Sequence, residues 1–313
     1  MKAIMTEQAG GIENLIMQEI AKPELNADEV LVETRAISIN PADTKVKYDE
    51  AVLTQLFGPE RPITLGWDIA GVVVATGAEV TRFKQGDKVF GMVNFPGHGK
   101  AYAEYVASPQ SHLAAMPEGL DYTNAAATTL AALTALQALK DRVNPGDKVL
   151  IHAGSGGVGH FAIQIAKKLG AYVISTSSAK NRDFVMALGA DEHIDYRTQA
   201  FEQVLTEIDL AFDTVSPEIA EKSLKVLRKG GQLVSIAMMA VPEELQLQAD
   251  KLGVNVSAIL VHSNGDDMNT LRDMLLEGTI KPHVSKTFEF AKLGKAHTAV
   301  ESGRTVGKVV VTL

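Results

Sequence analysis

The 313-residue chain has no cysteine. That absence excludes disulfides, thiolate catalysis, iron–sulfur clusters and every cysteine-ligated zinc site. Its eight histidines (His98, His112, His152, His160, His193, His262, His283 and His297) show no H-x-x-x-H or H-E-x-x-H spacing, so packing or surface roles are expected of them. No lysine or arginine cluster breaks the acidic balance of −8, which makes nucleic acid and anionic membrane surfaces poor partners. No apolar run is long enough to cross a bilayer, and the first residues lack the apolar core of a signal peptide. A cytoplasmic protein is expected. With 46% hydrophobic and 22% charged residues, the chain has the balance of a globular protein of one large or two ordinary domains.

The strongest positive signal lies at residues 147–159. A short apolar run, 149–151, reads as a buried strand, and Gly154, Gly156 and Gly159 then spell G-x-G-x-x-G. Apolar residues at helical spacing follow over 158–169. Strand, glycine turn and helix in that order suit a dinucleotide pyrophosphate. The turn must be tight, the backbone must approach the phosphates with no Cβ in the way, and amides at the helix start must face the charge.

Around this motif the periodicity changes. Residues 30–38, 71–76, 87–91 and 103–107 are short β-rich runs split by turn signals, which predicts a compact, mostly β domain. A long alanine- and leucine-rich helix, capped within 121–124, is expected to run to about Lys140. Strands are then predicted at 172–176, 193–194, 210–215, 232–237 and 255–261. Helices are expected at 180–188, near Phe201, at 217–227 (ending at Gly230-Gly231) and at 269–277. Such alternation implies a parallel sheet with helices on both faces. The tail from Val284 returns to β-rich runs that could complete the N-terminal domain.

The ribose-reading position lies ~20 residues past the glycines, where an NAD site places an acidic residue. Here stands Ser175-Thr-Ser-Ser-Ala-Lys-Asn-Arg182, with no carboxylate before Asp183. Hydroxyls and two cations suit a 2′-phosphate, so NADP(H) is expected over NAD(H).

With these motifs placed, the chain resembles the medium-chain dehydrogenase/reductase superfamily, in its zinc-independent NADPH quinone oxidoreductase-like branch. The resemblance rests on Ile39-Asn-Pro-Ala-Asp43, Leu65-Gly-Trp-Asp-Ile-Ala-Gly-Val-Val73, Gln85-Gly-Asp-Lys-Val89, Ala103-Glu-Tyr105, Leu133-Thr-Ala-Leu-Gln-Ala-Leu139, the glycine motif, Leu188-Gly-Ala-Asp191, Ile194-Asp-Tyr196 and Gly307-Lys-Val-Val310. It implies an α/β fold: a GroES-like β domain (residues 1–124 completed by 264–313) and an inserted Rossmann domain (125–263), with substrate and nicotinamide meeting in the cleft. Zinc-using members need a cysteine near Asn40 and a His-Glu pair after Gly66. This chain has Gly66-Trp67-Asp68 instead, with Asp68 expected to brace its loop and Trp67 to pack.

By the same resemblance Asn40 and Asp43 line the nicotinamide end. Tyr48 follows that segment closely and is a reachable catalytic candidate, with a surface position the competing expectation. Gly154, Ser155, Gly156, Gly157, Val158 and Gly159 would hold the pyrophosphate. Ser177, Ser178, Lys180 and Arg182 would hold the 2′-phosphate, with Tyr196 against the adenosine. Thr129, Thr214, Val215, Ser235, Ile236, Ala237, Ile259, Val261 and Lys308 are further cofactor contacts. The expected partner is a small electrophile, a quinone or enone, and a homodimer through the strand at 255–261 is anticipated. The competing readings are a nucleotide-binding structural or redox-sensing protein without turnover, and a zinc-free alcohol dehydrogenase or enoyl-thioester reductase.

Overall fold

The computed structural model describes residues 1–313. They form two compact units, Met1–Leu133 with Val261–Leu313, and Thr134–Leu260. In chain order the first unit begins with β1 (Lys2–Thr6), β2 (Ile16–Glu19), β3 (Glu29–Ile39), α1 (Pro41–Val46), α2 (Glu50–Phe57) and β4 (Ile63–Thr64). It continues with β5 (Asp68–Thr76), β6 (Lys88–Met92), β7 (Tyr105–Pro109), β8 (Leu113–Ala115) and α3 (Tyr122–Ala127). The division falls within α4 (Leu130–Leu139).

The second unit holds β9 (Lys148–Ile151), α5 (Gly159–Lys168), β10 (Tyr172–Ser177), α6 (Arg182–Ala187), β11 (Glu192–Asp195), α7 (Phe201–Val204) and β12 (Ile208–Asp213). Then come α8 (Pro217–Leu224), β13 (Leu227–Ser235), α9 (Glu243–Leu252) and β14 (Asn255–Ala258). The chain returns to the first unit with α10 (Gly265–Leu276), β15 (Val284–Glu289), α11 (Leu293–Glu301) and β16 (Lys308–Thr312). No helix is long and apolar enough to cross a membrane.

In the first unit a seven-stranded sheet runs β15-β16-β3-β5-β6-β8, with β7 also pairing β3, and a small sheet runs β2-β1-β4. The tail does complete the β domain: β16 lies between β15 (parallel) and β3 (antiparallel, Val309 opposite Ile39). Its apolar face explains the seat. Val309 and Val311 are fully buried with Ile37, Ile39, Leu53 and Leu293, so one core joins both ends of the chain.

In the second unit six parallel strands run β11-β10-β9-β12-β13-β14. This is the doubly wound dinucleotide-binding order, with the switch point between β9 and β12. β9 is apolar and buried after Lys148, as a central parallel strand must be. Right-handed crossovers on either side of it put helices on both faces.

Among the elements that differ from the sequence expectation, such as α2 within residues expected to be loop, three have a clear physical cause. The alanine-rich helix is two helices, α3 and α4, because hydroxyls end the first: Thr128 Oγ1 donates to the Asn124 carbonyl at 2.9 Å and Thr129 Oγ1 to that of Ala126 at 2.7 Å. The helix from Pro217 stops at Leu224 instead of reaching Gly230-Gly231, which lie inside β13. There the sheet wins over helix propensity: the Ile208 amide donates to the Val226 carbonyl at 3.0 Å, and that of Gly230 to Gly253 at 2.7 Å. Finally, α9 was not anticipated. It is closed by Gly253 at φ 67° with an acidic first turn, Glu243 and Glu244.

Candidate active site

The glycine turn is built by one strained residue and three small ones. Ala153 leaves β9 at φ 51°, a left-handed conformation costing an alanine about 1–2 kcal/mol. It tightens the turn so that its carbonyl accepts the Gly156 amide at 2.8 Å. A Cβ on Gly154 would stand 2.0 Å from Ser175 Oγ, and one on Gly159 2.2 Å from the Ala153 carbonyl. These two glycines are therefore demanded by packing. Gly156 is different, because a Cβ there meets only the Ala153 oxygen, at 3.1 Å, and points into open space. The amides of Ser155, Gly157 and Val158 donate to no group within the chain, immediately before the ten-residue helix α5. Free amides at a helix start with no Cβ in front fit a pyrophosphate.

The end of β10 carries the residues expected on the ribose side. Ser177 and Ser178 are buried there, and exposed Lys180 and Arg182 follow on the turn into α6. Asn181 Nδ2 donates to Ser155 Oγ at 2.9 Å, tying this turn to the glycine turn. Ser177 Oγ also bonds Nε2 of His193, on β11, at 2.8 Å, a partner the sequence reading missed. Tyr196 is 58% exposed just past β11, and Val215 is 50% exposed past β12. Thr214 Oγ1 donates to the His152 carbonyl at 3.0 Å. Asp213, also missed, accepts from the amides of Val215 (2.9 Å) and Ser216 (3.3 Å) and from the Ser235 hydroxyl (2.7 Å). It thereby fixes the loop that carries Thr214 and Val215 and ties it to the end of β13. Ile236, Ala237 and Ile259 continue β13 and β14 at the same carboxyl ends.

In the first unit the other predicted residues converge on a buried polar network. Asn40 (1% exposed) donates its Nδ2 to Asp68 Oδ2 at 2.7 Å, and its Oδ1 takes a hydrogen bond from Lys308 Nζ. Asp43 (0% exposed) accepts the Asn40 amide at 2.6 Å, which caps α1. Asp68 Oδ1 accepts the Leu130 amide at 3.0 Å, with the Thr129 hydroxyl beside it. The break between α3 and α4 is what frees that amide. Tyr102 stands beside Asp43, and its hydroxyl bonds His297 Nε2 at 2.8 Å.

Two carboxyl groups face one ammonium in this interior. Burial, then the neighbouring Asp68 carboxylate, raise Asp43 from 3.8 to about 7. Burial also raises Asp68 and lowers Lys308. Lys308 is 2% exposed, and its Nζ is committed to Asn40 and to the Ile39 carbonyl, so it acts within this network. Tyr48 lies outside it. The residue is 55% exposed, its hydroxyl on Glu301 Oε1 at 3.2 Å and its ring under Lys47 Nζ at 3.7 Å. Val261 is buried. Trp67 packs against Phe57 and Phe95 and donates to the Gly97 carbonyl at 2.7 Å.

Residues 26–118 match the family model of the alcohol dehydrogenase GroES-like domain, and residues 188–311 that of the zinc-binding dehydrogenase. The donor set does not fit zinc: there is no cysteine, and no three His, Asp or Glu residues stand together as ligands. The chain is 32% identical to the NADPH-dependent alkenal/one oxidoreductase of Arabidopsis thaliana, a chloroplastic protein, over 99% of this chain and 79% of that protein. The quinone oxidoreductase of Coxiella burnetii superposes with a TM-score of 0.93 at 33% identity, covering 100% of this chain and 99% of the other. That of Escherichia coli, solved in complex with NADPH, gives 0.88 at 26% identity over the full length of both. With its GroES-like and Rossmann units and these relatives, the chain belongs to the medium-chain dehydrogenase/reductase superfamily.

Proposed function

We propose that this protein is a zinc-independent, NADP(H)-dependent oxidoreductase that reduces quinones or α,β-unsaturated carbonyl compounds. One observation carries the reading: three free amides at the glycine turn stand beside the end of β10, whose segment 175–182 offers hydroxyls and cations and no carboxylate of its own. The relatives named for alkenal/one and quinone reduction support the reaction class.

The nicotinamide, when bound, supplies the hydride. The chain's share is to bind, orient and exclude water. Ser155, Gly157 and Val158 present amides to the pyrophosphate, and Ser177, Ser178, Lys180 and Arg182 receive the 2′-phosphate. A donor set unsuited to zinc offers no Lewis acid, so the acceptor must already be electron-poor through conjugation. Asn40, Asp43 and Lys308 act as positioning residues through the buried network, and Tyr48 is the exposed hydroxyl proposed to meet the developing oxyanion on releasing Glu301. β14, outermost in its sheet, is proposed to pair with its copy in a homodimer, which the solution mass would show.

An NADPH-consumption screen over quinones, enals, enones and 2-enoyl thioesters tests the function. Oxidation of NADPH in preference to NADH by quinones or enones is expected. Tight binding with no turnover across the panel would leave a nucleotide-binding protein and overturn the enzymatic reading.

A further inference from the structure

His193 matched no motif, yet it sits in the ribose edge. The parallel register sets it opposite Ser175, on the sheet face that Ser175 and Ser177 share. Its ring is half-buried, with Nε2 at 2.8 Å from Ser177 Oγ. The charged groups facing it are Arg182 at the start of α6 and Asp195 on its own strand, while β10 presents the Ser177 hydroxyl.

Proton accounting at Ser177 gives the consequence. Its hydroxyl has one hydrogen, directed either to the Ser178 carbonyl at 3.2 Å or to His193. A phosphate oxygen placed against Ser177 claims that hydrogen. The 2.8 Å pair then survives only if His193 Nε2 carries a hydrogen and donates to Ser177 Oγ. A neutral ring meets that demand by tautomer choice. An imidazolium meets it with a positive charge one hydroxyl away from the dianion.

We propose that His193 is a positioning and specificity-determining residue for the 2′-phosphate: it turns Ser177 into a donor toward the phosphate and takes up a proton as NADPH binds. The inference rests on the assignment of the 2′-phosphate to the end of β10. NADPH binding is thereby strengthened as pH falls into the imidazole range, and NADH binding is not. In the free protein burial, then Arg182, hold the ring below its ordinary value, and Asp195 opposes them. The bound phosphate reinforces Asp195. The phosphate's own second ionisation, near pH 6, runs in the opposite sense and is common to wild type and variants.

The test is the dissociation constant of NADPH and of NADH, measured from about pH 6 to pH 8, the imidazole range, for wild type, His193→Gln, Ser177→Ala and Lys180→Ala. Glutamine keeps an uncharged donor to Ser177, so His193→Gln should match wild type at high pH. It should lack an affinity gain of roughly threefold to tenfold that wild type shows at low pH. Ser177→Ala should remove the same gain by cutting the link, and NADH should be indifferent to both changes. Superimposable NADPH profiles for wild type and His193→Gln, or an equal shift for NADH, overturn the inference. Lys180→Ala separates the two levels. If it weakens NADPH alone while the profiles coincide, only the histidine's role falls; if NADPH preference survives it unchanged, the phosphate assignment falls as well.

Discussion

Asp43 spends its folded life in surroundings that oppose its ionisation, and this has a measurable signature. Its value is raised from 3.8 to about 7, so between those limits the folded chain keeps a proton that the unfolded chain releases. Stability therefore falls as pH rises through that window, up to the folded value. The buried neutral rings of His152 and His297, lowered to about 3, work in the opposite sense below 6.5. The difference between wild type and Asp43→Asn isolates the carboxyl. Asparagine still accepts the Asn40 amide, so the variant should gain about 2–3 kcal/mol on wild type between pH 5 and pH 8 in chemical unfolding. A constant difference across that range would show that Asp43 is ionised throughout. Asn40→Ala strips a hydrogen bond from both Asp68 and Lys308, and should lower turnover more than a change at exposed Glu118. Equal effects would detach the network from catalysis. At this scale the sequence was only half legible. Asn40-Pro-Ala-Asp43 announces a capped turn by itself, because its hydrogen bond is local. Asp68, Tyr102 and His297 reach the same spot from distant segments, and a lone histidine such as His193 carries no spacing that could reveal a serine on the next strand.

Strand, turn and helix around the nucleotide motif were legible because their cause is also local. A short continuous apolar run, a cluster of glycines and a stretch of apolar residues at helical spacing follow one another within residues 148–168. The three glycines nonetheless differ, which a motif cannot show. Gly159→Ala drives a methyl onto the Ala153 carbonyl and should cost about 2–3 kcal/mol. Gly156→Ala brings its methyl only to 3.1 Å from that carbonyl, and its backbone is not left-handed, so the melting temperature should fall far less than for Gly159→Ala. Its methyl would project where the phosphates are proposed to be received, so the Michaelis constant for NADPH should rise about tenfold, an affinity loss of ~1.4 kcal/mol. If Gly156→Ala leaves that constant unchanged, the turn does not hold a pyrophosphate. The α3–α4 break and the passage of β13 through Gly230-Gly231 were illegible for the opposite reason. Both are decided by partners far along the chain: the Asp68 carboxylate takes the freed Leu130 amide, and the neighbouring strand takes up the backbone after Leu224.

At the scale of the molecule, the β-rich tail and the alternating middle forecast two units, because periodicity changes where the architecture does. Which strand the tail would lie beside was not readable, since pairing depends on complementary faces and both β3 and β15 offer one. The observed seat makes a strong prediction. Ending the chain after Gly307 removes β16 from between β15 and β3 in the seven-stranded sheet, along with Val309, Val311 and Lys308. The first unit should then lose its cooperative unfolding transition, seen as lost near-ultraviolet dichroism and exposed apolar surface. A truncated chain that melts like the full one would show that β16 is dispensable.

The same seat beside β3 imposes an order on biosynthesis. β3 leaves the ribosome early, but its neighbour β16 emerges only after the whole nucleotide-binding unit has been made. At ~5–20 residues per second that delay is on the order of tens of seconds. Throughout it, Ile37 and Ile39 wait for Val309 and Val311 with the flank of residues 36–39 unpaired, although β7 already covers residues 29–33. The nascent chain therefore completes its middle before its beginning, and a chaperone that shields apolar strands has its longest claim on residues 36–39.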